Sequence, residues 1–434
     1  MKEIFKDILL ENQFIETEEV FNRNLKCTFI PKKAMVLIGV RRSGKTTFLR
    51  QIAVSLCNNS TLSEGQIVYI NFSDERLLPL SADKLNLILV AHSELYPDLN
   101  DKQIIHFFFD EIQNVEKWEY FVDRLLRSSK HRIYIIGSSA KLLSKEIATA
   151  MRGRTISYEL FPFSFKEILE WEKIPYKNPP TNVRAKILNR FKKYMLEGGF
   201  PEVIHQPPNI QRKILQEYYQ VLIYKDIIDR YKVDHTVALG YTLKLLINQI
   251  ANSYTINKIT HKIKSMGISI DKEKISNYLS WSQDCYIFFS VPIFTESVSR
   301  QMANPRKLYC IDNGLVNAIN SRFSDEIGNK LENLIFIELR RQYEQIFYFK
   351  DHQGSEVDFV VISGKTIKLI QVTDNLKSST TYEREVGSLK NAMSFLKLKK
   401  GTIITMEDNR EIEVDEGIIK IIPAWKFMTS QESL

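Results

Sequence analysis

Apolar and polar positions along the chain fall into blocks whose period changes several times. Residues 1–34 begin with MKEIFKDILLENQFIE, apolar at helical spacing, and continue as an irregular approach to the first continuous apolar run. That run, Met35–Val40, reads as a strand buried on both faces, and a helix-forming pattern follows at once. Further strands are predicted at Gln66–Phe72 (QIVYINF), Ile104–Asp110 (IIHFFFD), Arg132–Gly137 (RIYIIG) and Thr155–Leu160 (TISYEL), rich in β-branched and aromatic residues. Helical patterns separate them at 81–98, 115–128 and 141–151. Strands alternating with helices predict a parallel α/β sheet, and ligands of such sheets bind beyond the carboxyl ends of the strands.

After Phe161-Pro162 the alternation stops. Residues 163–232 read as helices broken at Pro175, Pro179-Pro180, Gly198-Gly199 and Pro207-Pro208. From about 235 to 320 the order is helix, turn at Gly267, second helix from about Asp271, then an apolar strand, which suits a winged helix-turn-helix. Residues 325–434 return to mixed patterning, with a helix at 325–344, strands near 345–350, 357–362 and 367–373, a helix at 382–398 and a strand at 402–406. Four regions are therefore expected: 1–162, 163–232, 235–320 and 325–434.

Composition narrows this only a little. A chain of 434 residues exceeds one ordinary core, and 44% hydrophobic with 26% charged residues is globular. No apolar stretch approaches the roughly 18–20 residues of a membrane helix, and the first residues lack a signal peptide's apolar core. Cys27, Cys57, Cys285 and Cys310 form no C-x-x-C pair, so neither a zinc site nor a disulfide framework is indicated. A cytoplasmic protein with no membrane partner is the expectation. The net charge of +8 permits a polyanionic partner without establishing one.

The candidate chemistry lies at the strand ends. Gly39-Val40-Arg41-Arg42-Ser43-Gly44-Lys45-Thr46 is G-x-x-x-x-G-K-[ST] between a strand and a helix. Its glycines let successive N–H groups face nucleotide phosphates, Lys45 can reach the β- and γ-phosphates, and Thr46, followed by Thr47, can ligate Mg²⁺. ATP and Mg²⁺ are the expected ligands. Asp110, ending an apolar strand, is placed to hold the Mg²⁺ shell, and Glu111 to polarise the attacking water. Asn71 ends the second strand; Ser138 or Ser139, after the fourth, can bond the γ-phosphate or the water. Arg152 and Arg154 stand before the last strand of the sheet, where an arginine can stabilise charge on a transferring phosphate in cis or in trans.

These segments resemble the AAA+ branch of P-loop ATPases, in particular a prokaryotic family with an AAA domain and a C-terminal domain of unknown function. The matching residues are GVRRSGKTT at 39–47, FFFDEIQNVEKWE at 107–119, IIGSSAKLLS at 135–144, RGR at 152–154, LFPFSFKEIL at 160–169 and LEGGFPEVI at 196–204. The resemblance implies an AAA+ parallel sheet over 1–162 with a helical lid over 163–232, and ATP hydrolysis with Mg²⁺. It gives Lys45 and Thr46 Walker A roles, Asp110 and Glu111 Walker B roles, and Ser138 or Ser139 a sensor role. Asn71 matches the polar residue that can hold the catalytic glutamate inactive, and Arg154 or Arg152 a finger reaching a neighbouring copy. The lid departs from the pattern, since Gly198-Gly199-Phe200-Pro201-Glu202 offers no sensor arginine.

Over 235–320 nine Lys and Arg stand against five Asp and Glu, a net of +4, so Lys272, Lys274, Asn277 and Tyr278 on the second helix are candidates for facing double-stranded DNA. The remainder resembles the PD-(D/E)XK nuclease fold through Glu332, Glu356-Val357-Asp358-Phe359-Val360 and Gln371-Val372-Thr373. Glu332, Asp358 and Gln371 then form part of a divalent-metal site. Thr373 stands where that motif expects lysine, and Lys368 lies an odd offset away on the opposite face of a strand, so a degenerate nuclease fold is expected. Three readings follow: an ATPase driving a DNA- or protein-binding module, an ATP-regulated nuclease, and a nucleotide-switched assembly scaffold.

Overall fold

The computed structural model describes residues 1–12, 21–59, 62–99, 103–127, 131–137, 151–320 and 326–430. The chain divides into two compact units, Met1–Leu160 and Phe161–Leu434.

The first unit is built on the parallel α/β sheet that the apolar runs predict. Its strands are β1 (Ala34–Ile38), β2 (Ile67–Asn71), β3 (His106–Asp110), β4 (Arg132–Ile136) and β5 (Thr155–Glu159), ordered β2-β3-β4-β1-β5 with every pair parallel. Strands β1 and β3 are buried along their whole length, which is why they read as unbroken apolar runs rather than alternating ones. One core cluster joins Met35, Leu37, Tyr69, Phe108, Tyr134 and Ile136 of the sheet to Phe48, Leu49 and Ala53 of helix Lys45–Asn59. The register puts Asn71 opposite Asp110 and Asp110 opposite Ile136, while Leu37 pairs with Ile136. Four strand ends are thus level at one edge. The N-terminal helix, Lys2–Glu11, is tied to helix Asn86–Leu95 by Lys2 and Lys6 on Glu94 at 2.8 and 2.7 Å.

The second unit begins with helices Phe165–Trp171, Thr181–Glu197 and Pro208–Val221. Ser164 and Glu167 form a reciprocal capping box that starts the first of them. At Gly198 the backbone turns into a glycine-only conformation (φ 75, ψ −160). The turn is held from outside: Asp312 Oδ2 accepts from Gly199 N at 2.6 Å and Oδ1 accepts from Leu315 N at 3.1 Å. A Cβ on Gly199 would lie 2.2 Å from the Phe163 carbonyl oxygen. The glycine pair is a close-packing device.

Helices Thr236–Ile247, Ile256–Ser265 and Lys272–Asp284 follow, with a small antiparallel sheet of β6 (Ser253–Tyr254), β7 (Phe288–Val291) and β8 (Arg306–Cys310) in the order β6-β8-β7. Thr255 and Asp271 cap the second and third helices by accepting from Lys258 N and Lys274 N. Tyr278, expected to face a groove, is instead buried at 1% exposure, because it lies on the same helical face as Ile275 and Leu279.

The chain ends in helix Ile327–Gln342 and a six-stranded mixed sheet of β9 (Gln345–Lys350), β10 (Glu356–Ser363), β11 (Thr366–Val372), β12 (Lys400–Thr405), β13 (Arg410–Val414) and β14 (Gly417–Pro423), ordered β13-β14-β12-β11-β10-β9. Helix Ser379–Leu396 covers it through Val386, Leu389, Ala392 and Met393. Strands β13 and β14 and the last helix, Ala424–Thr429, extend the expected pattern. Among the described residues no helix is long and apolar enough to cross a membrane.

Candidate nucleotide site and carboxylate cluster

The loop after β1 is shaped by three unusual backbone conformations, Gly39 at φ 144, Arg42 at φ 67 and Gly44 at φ 91. A Cβ on Gly39 would lie 2.3 Å from the Leu160 carbonyl oxygen, so glycine is required there. Lys45 opens helix Lys45–Asn59 and donates from Nζ to the carbonyls of Gly39 and Val40 at 3.0 and 2.8 Å, folding back over the loop. Arg41 is half-buried, Arg42 exposed and Thr47 half-buried. Ser43 is fully buried and its Oγ has no hydrogen-bond partner, while its carbonyl accepts from Arg23 Nη1 at 2.9 Å. An orphaned buried hydroxyl inside a loop of this shape fits a site made for a polar ligand.

Thr46 Oγ1 donates to Asp110 Oδ2 at 3.1 Å, and Tyr69 OH donates to the same oxygen at 3.0 Å. Two oxygens about 3 Å apart match neighbouring vertices of an octahedron with Mg–O bonds of about 2.0–2.1 Å, so this pair fits the hard cation the motif implies. Asp110 is 4% exposed; burial, then the like charge of Glu111, push its carboxyl up to about 6. Burial and then the Asp110 charge raise the Tyr69 hydroxyl, keeping it a donor.

Glu111 sits just past β3 in the left-handed region (φ 55, ψ 33), a strained place for a non-glycine residue and one common at functional sites. Its N–H is anchored to the Ile136 carbonyl at 2.9 Å, and its carboxylate accepts from Gln113 Nε2. Asn71, exposed at the end of β2, accepts on Oδ1 from Ser73 N at 2.9 Å. Arg154 Nη1 pairs with Asp123 Oδ1 at 2.6 Å, and Arg152 occupies a turn at φ 50. Ser138 and Ser139 lie outside the described residues. The structure therefore brings Lys45, Thr46, Asp110 and Glu111 to one sheet edge and adds Tyr69, Gln113 and Arg23, which local motif reading passes over.

In the second unit Glu332, Asp358 and Gln371 do come together, but around a lysine. Lys307 of β8, 4% exposed at its side chain, places Nζ 3.1 Å from Glu332 Oε1, 2.9 Å from Glu356 Oε1 and 2.8 Å from Asp358 Oδ1. Tyr309 OH donates to Glu332 Oε1 at 2.7 Å, and Val372 N to Asp358 Oδ2 at 2.9 Å. Gln371, expected to offer its carbonyl to a metal, accepts there from Asp358 N at 3.1 Å and donates from Nε2 to Glu385. Burial alone lowers the lysine, but Asp358 and Glu332 outweigh it and hold the ammonium well above its ordinary range. Burial and then Asp358 push the Glu332 carboxyl up to about 7. Burial also acts upward on Glu356, yet Lys307 and Lys350 leave it below the usual carboxylate range. The cluster lines a polar cavity of about 590 Å³ that also includes Arg384 and Ser388. Among the described residues no group of three or more His, Cys, Asp or Glu side chains is arranged to hold a metal ion.

A family model described as AAA domain matches residues 31–169, and two domains of unknown function follow, DUF8612 over 188–326 and DUF4143 over 327–427. An uncharacterized protein of Methanocaldococcus jannaschii is 37% identical over 439 residues, covering 98% of this chain and 95% of its own. An uncharacterized protein of Haemophilus influenzae is 29% identical over 347 residues, covering 80% and 83%. The solved Walker-type ATPase of Pyrococcus abyssi is 12% identical with a TM-score of 0.40, covering 73% of this chain and 94% of its own.

Proposed function

Because the chain belongs to the family of AAA-domain proteins that end in the domain of unknown function DUF4143, we propose that it is a Mg²⁺-dependent ATPase whose turnover drives a DNA- or protein-binding module in residues 161–434. The observation that carries the reading is the Thr46–Asp110 pair, 3.1 Å apart and adjacent to the Gly39–Thr46 loop. Mg²⁺, when bound, would supply neutralisation of the charge on the transferring phosphate. The loop N–H groups and Lys45 hold the phosphates, and Thr46 and Asp110 hold the metal shell. Glu111 orients the attacking water and accepts its proton. Asn71 acts at the same edge, and Ser138 or Ser139 bonds the γ-phosphate or the attacking water. Arg154 or Arg152 serves a second copy of the chain; for Arg154 this means leaving Asp123, so assembly and that ion pair compete. The protein works in the cytoplasm.

Exposed Lys258, Lys262, Lys264 and Lys272, on the second and third helices of the 235–320 segment, support double-stranded DNA as the client. Lys307 does not contribute to that surface, being buried among carboxylates.

The test is ATP hydrolysis by wild type and Glu111→Gln, with and without double-stranded DNA. The substitution is expected to lower turnover by about 10²–10⁴-fold, the usual range for a positioned general base, while nucleotide binding persists. Equal turnover by the two proteins sinks the assignment of Glu111. Stimulation of wild type by DNA supports the coupling, and indifference to DNA directs the search to a protein client.

A further inference from the structure

We propose that the Lys307 ammonium takes the place of the divalent cation in the cluster of Glu332, Glu356 and Asp358, leaving the C-terminal sheet with a metal-free, non-cleaving site closed by a built-in cation.

An ammonium has three N–H donors and no acceptor, and Nζ of Lys307 has three carboxylate oxygens around it, one from each acid. The separations of 2.8–3.1 Å are those of charge-assisted N–H···O bonds, longer than the 2.0–2.6 Å that Mg²⁺ or Ca²⁺ requires of oxygen ligands. The centre of the cluster therefore holds nitrogen, at nitrogen's distances.

Several of the acceptor atoms a metal would need carry further donors. Asp358 Oδ2 receives Val372 N, Glu332 Oε1 is shared with Tyr309 OH, and Glu356 Oε2 pairs with Lys350 Nζ at 3.1 Å. The Gln371 carbonyl is held by Asp358 N. Each of these donors is placed by regular structure: Lys307 and Tyr309 are two apart on β8 and so share a face, while Val372 ends β11 beside β10.

A lysine displaced from its usual strand to serve as a nuclease's water-positioning group is the competing reading of the same residue. That role needs the ammonium beside a metal, with the carboxylates left for the metal. Here Nζ bonds all three acids and its side chain is 4% exposed, which favours substitution for the metal. The lysine also fastens β8 of the small sheet to helix Ile327–Gln342 and to β10, so one residue silences the site and ties three elements together.

The experiment is Mn²⁺ titration of the nucleotide-free full-length chain, with free Mn²⁺ read by its EPR signal, on wild type, Lys307→Ala, Asp358→Asn and the double variant. Any Mn²⁺ held near Asp110 is common to all four proteins and cancels. The expected result is that wild type and Asp358→Asn bind alike, whereas Lys307→Ala gains one equivalent, at least tenfold tighter than any wild-type binding, that the double variant loses. Mn²⁺ is also expected to raise the melting temperature of Lys307→Ala and not that of wild type. If Lys307→Ala cannot be purified, Lys307→Gln removes the charge and keeps a hydrogen-bonding head group for the same titration. Wild type binding an equivalent of Mn²⁺ that Asp358→Asn loses overturns the proposal. So does a folded Lys307 variant that gains no Mn²⁺, and so does metal-dependent DNA cleavage by wild type that Asp358→Asn abolishes. ATP hydrolysis at the Gly39–Thr46 loop is a separate measurement, and its outcome leaves this one unaffected.

Discussion

Acid should weaken the first unit in part through His106. It opens β3, is 3% exposed, and stacks against Tyr134 of β4 at 6.0 Å and 11°, with Nδ1 3.4 Å from the Tyr134 hydroxyl. Burial, and then the charge of Arg132 on the neighbouring strand, push its imidazole down to about 4 from the usual 6.5. Between those values the unfolded chain takes up a proton that the folded chain refuses. Stability supplied by the neutral ring is therefore complete above pH 6.5 and is lost as pH falls, until the folded ring itself titrates near 4. Integrating the difference in bound protons from pH 7 to pH 4.5 gives a loss of about 2 kcal/mol, a rise of some tens-fold in the opening constant.

His106→Phe keeps a ring against Tyr134 and removes the titration. Amide hydrogen exchange in peptides spanning β3 and β4 reports the opening free energy of this part of the sheet. Taking wild type minus variant at each pH cancels every other titrating group and the intrinsic pH dependence of exchange. The difference should shift by about 2 kcal/mol against wild type on acidification. A difference that stays constant, or moves toward wild type, refutes the burial argument, because it means His106 binds its proton equally well in both states. The consequence reaches function directly, since β3 carries Asp110 at its other end.

Two further substitutions test the packing and the site. Tyr69→Phe removes one of the two hydroxyls on Asp110 Oδ2; a lost hydrogen bond of about 0.5–1.5 kcal/mol should raise the Mg²⁺ concentration for half-maximal ATPase roughly 2- to 10-fold, and an unchanged Mg²⁺ dependence excludes Tyr69 as a positioning residue. Gly198→Ala places a Cβ 2.0 Å from Asp312 Oδ1 at a backbone conformation only glycine adopts, so a loss of about 2–4 kcal/mol in urea unfolding is expected, and tolerance of alanine refutes the close-packing account of this turn.

What was legible in the sequence follows the range of the interactions. Strands β1, β3 and β4 announce themselves because they are buried over nearly their whole length, so the apolar run is continuous and needs no knowledge of the partner. Lys45, Thr46, Asp110 and Glu111 are visible because a phosphate loop is a contiguous motif and a strand end followed by two acids is local. Tyr69 was hidden by period: in QIVYINF it is one more apolar residue of a buried strand, and only the register of β2 on β3 turns its hydroxyl to Asp110. The glycine pair at 198–199 shows in the sequence as a break between helices. Its reason lies at Asp312, 113 residues away from the amide it accepts from.

Lys307 marks where motif reading stops for a physical reason. A motif search looks for a lysine on the same strand as the carboxylates, and at that offset the chain has Thr373, 66 residues (373 − 307) from the lysine that matters. The requirement, however, is electrostatic rather than sequential. Glu332, Glu356 and Asp358 crowd three carboxylates into a largely buried space, and leaving such charges uncompensated costs several kcal/mol each. Some cation must answer them, and any element whose strand period turns a lysine inward at that spot can supply it. Strand β8 does so with Lys307 and, two residues on, Tyr309. In the sequence this pair lies within PRKLYC, a short stretch of the segment whose net positive charge invites a nucleic-acid reading. One of the charges that suggested DNA is therefore spent inside the protein, and the case for DNA rests on the lysines of the two helices alone. A buried cluster of like charges is thus itself a signal: it says that a counter-charge exists, without saying where along the chain to find it.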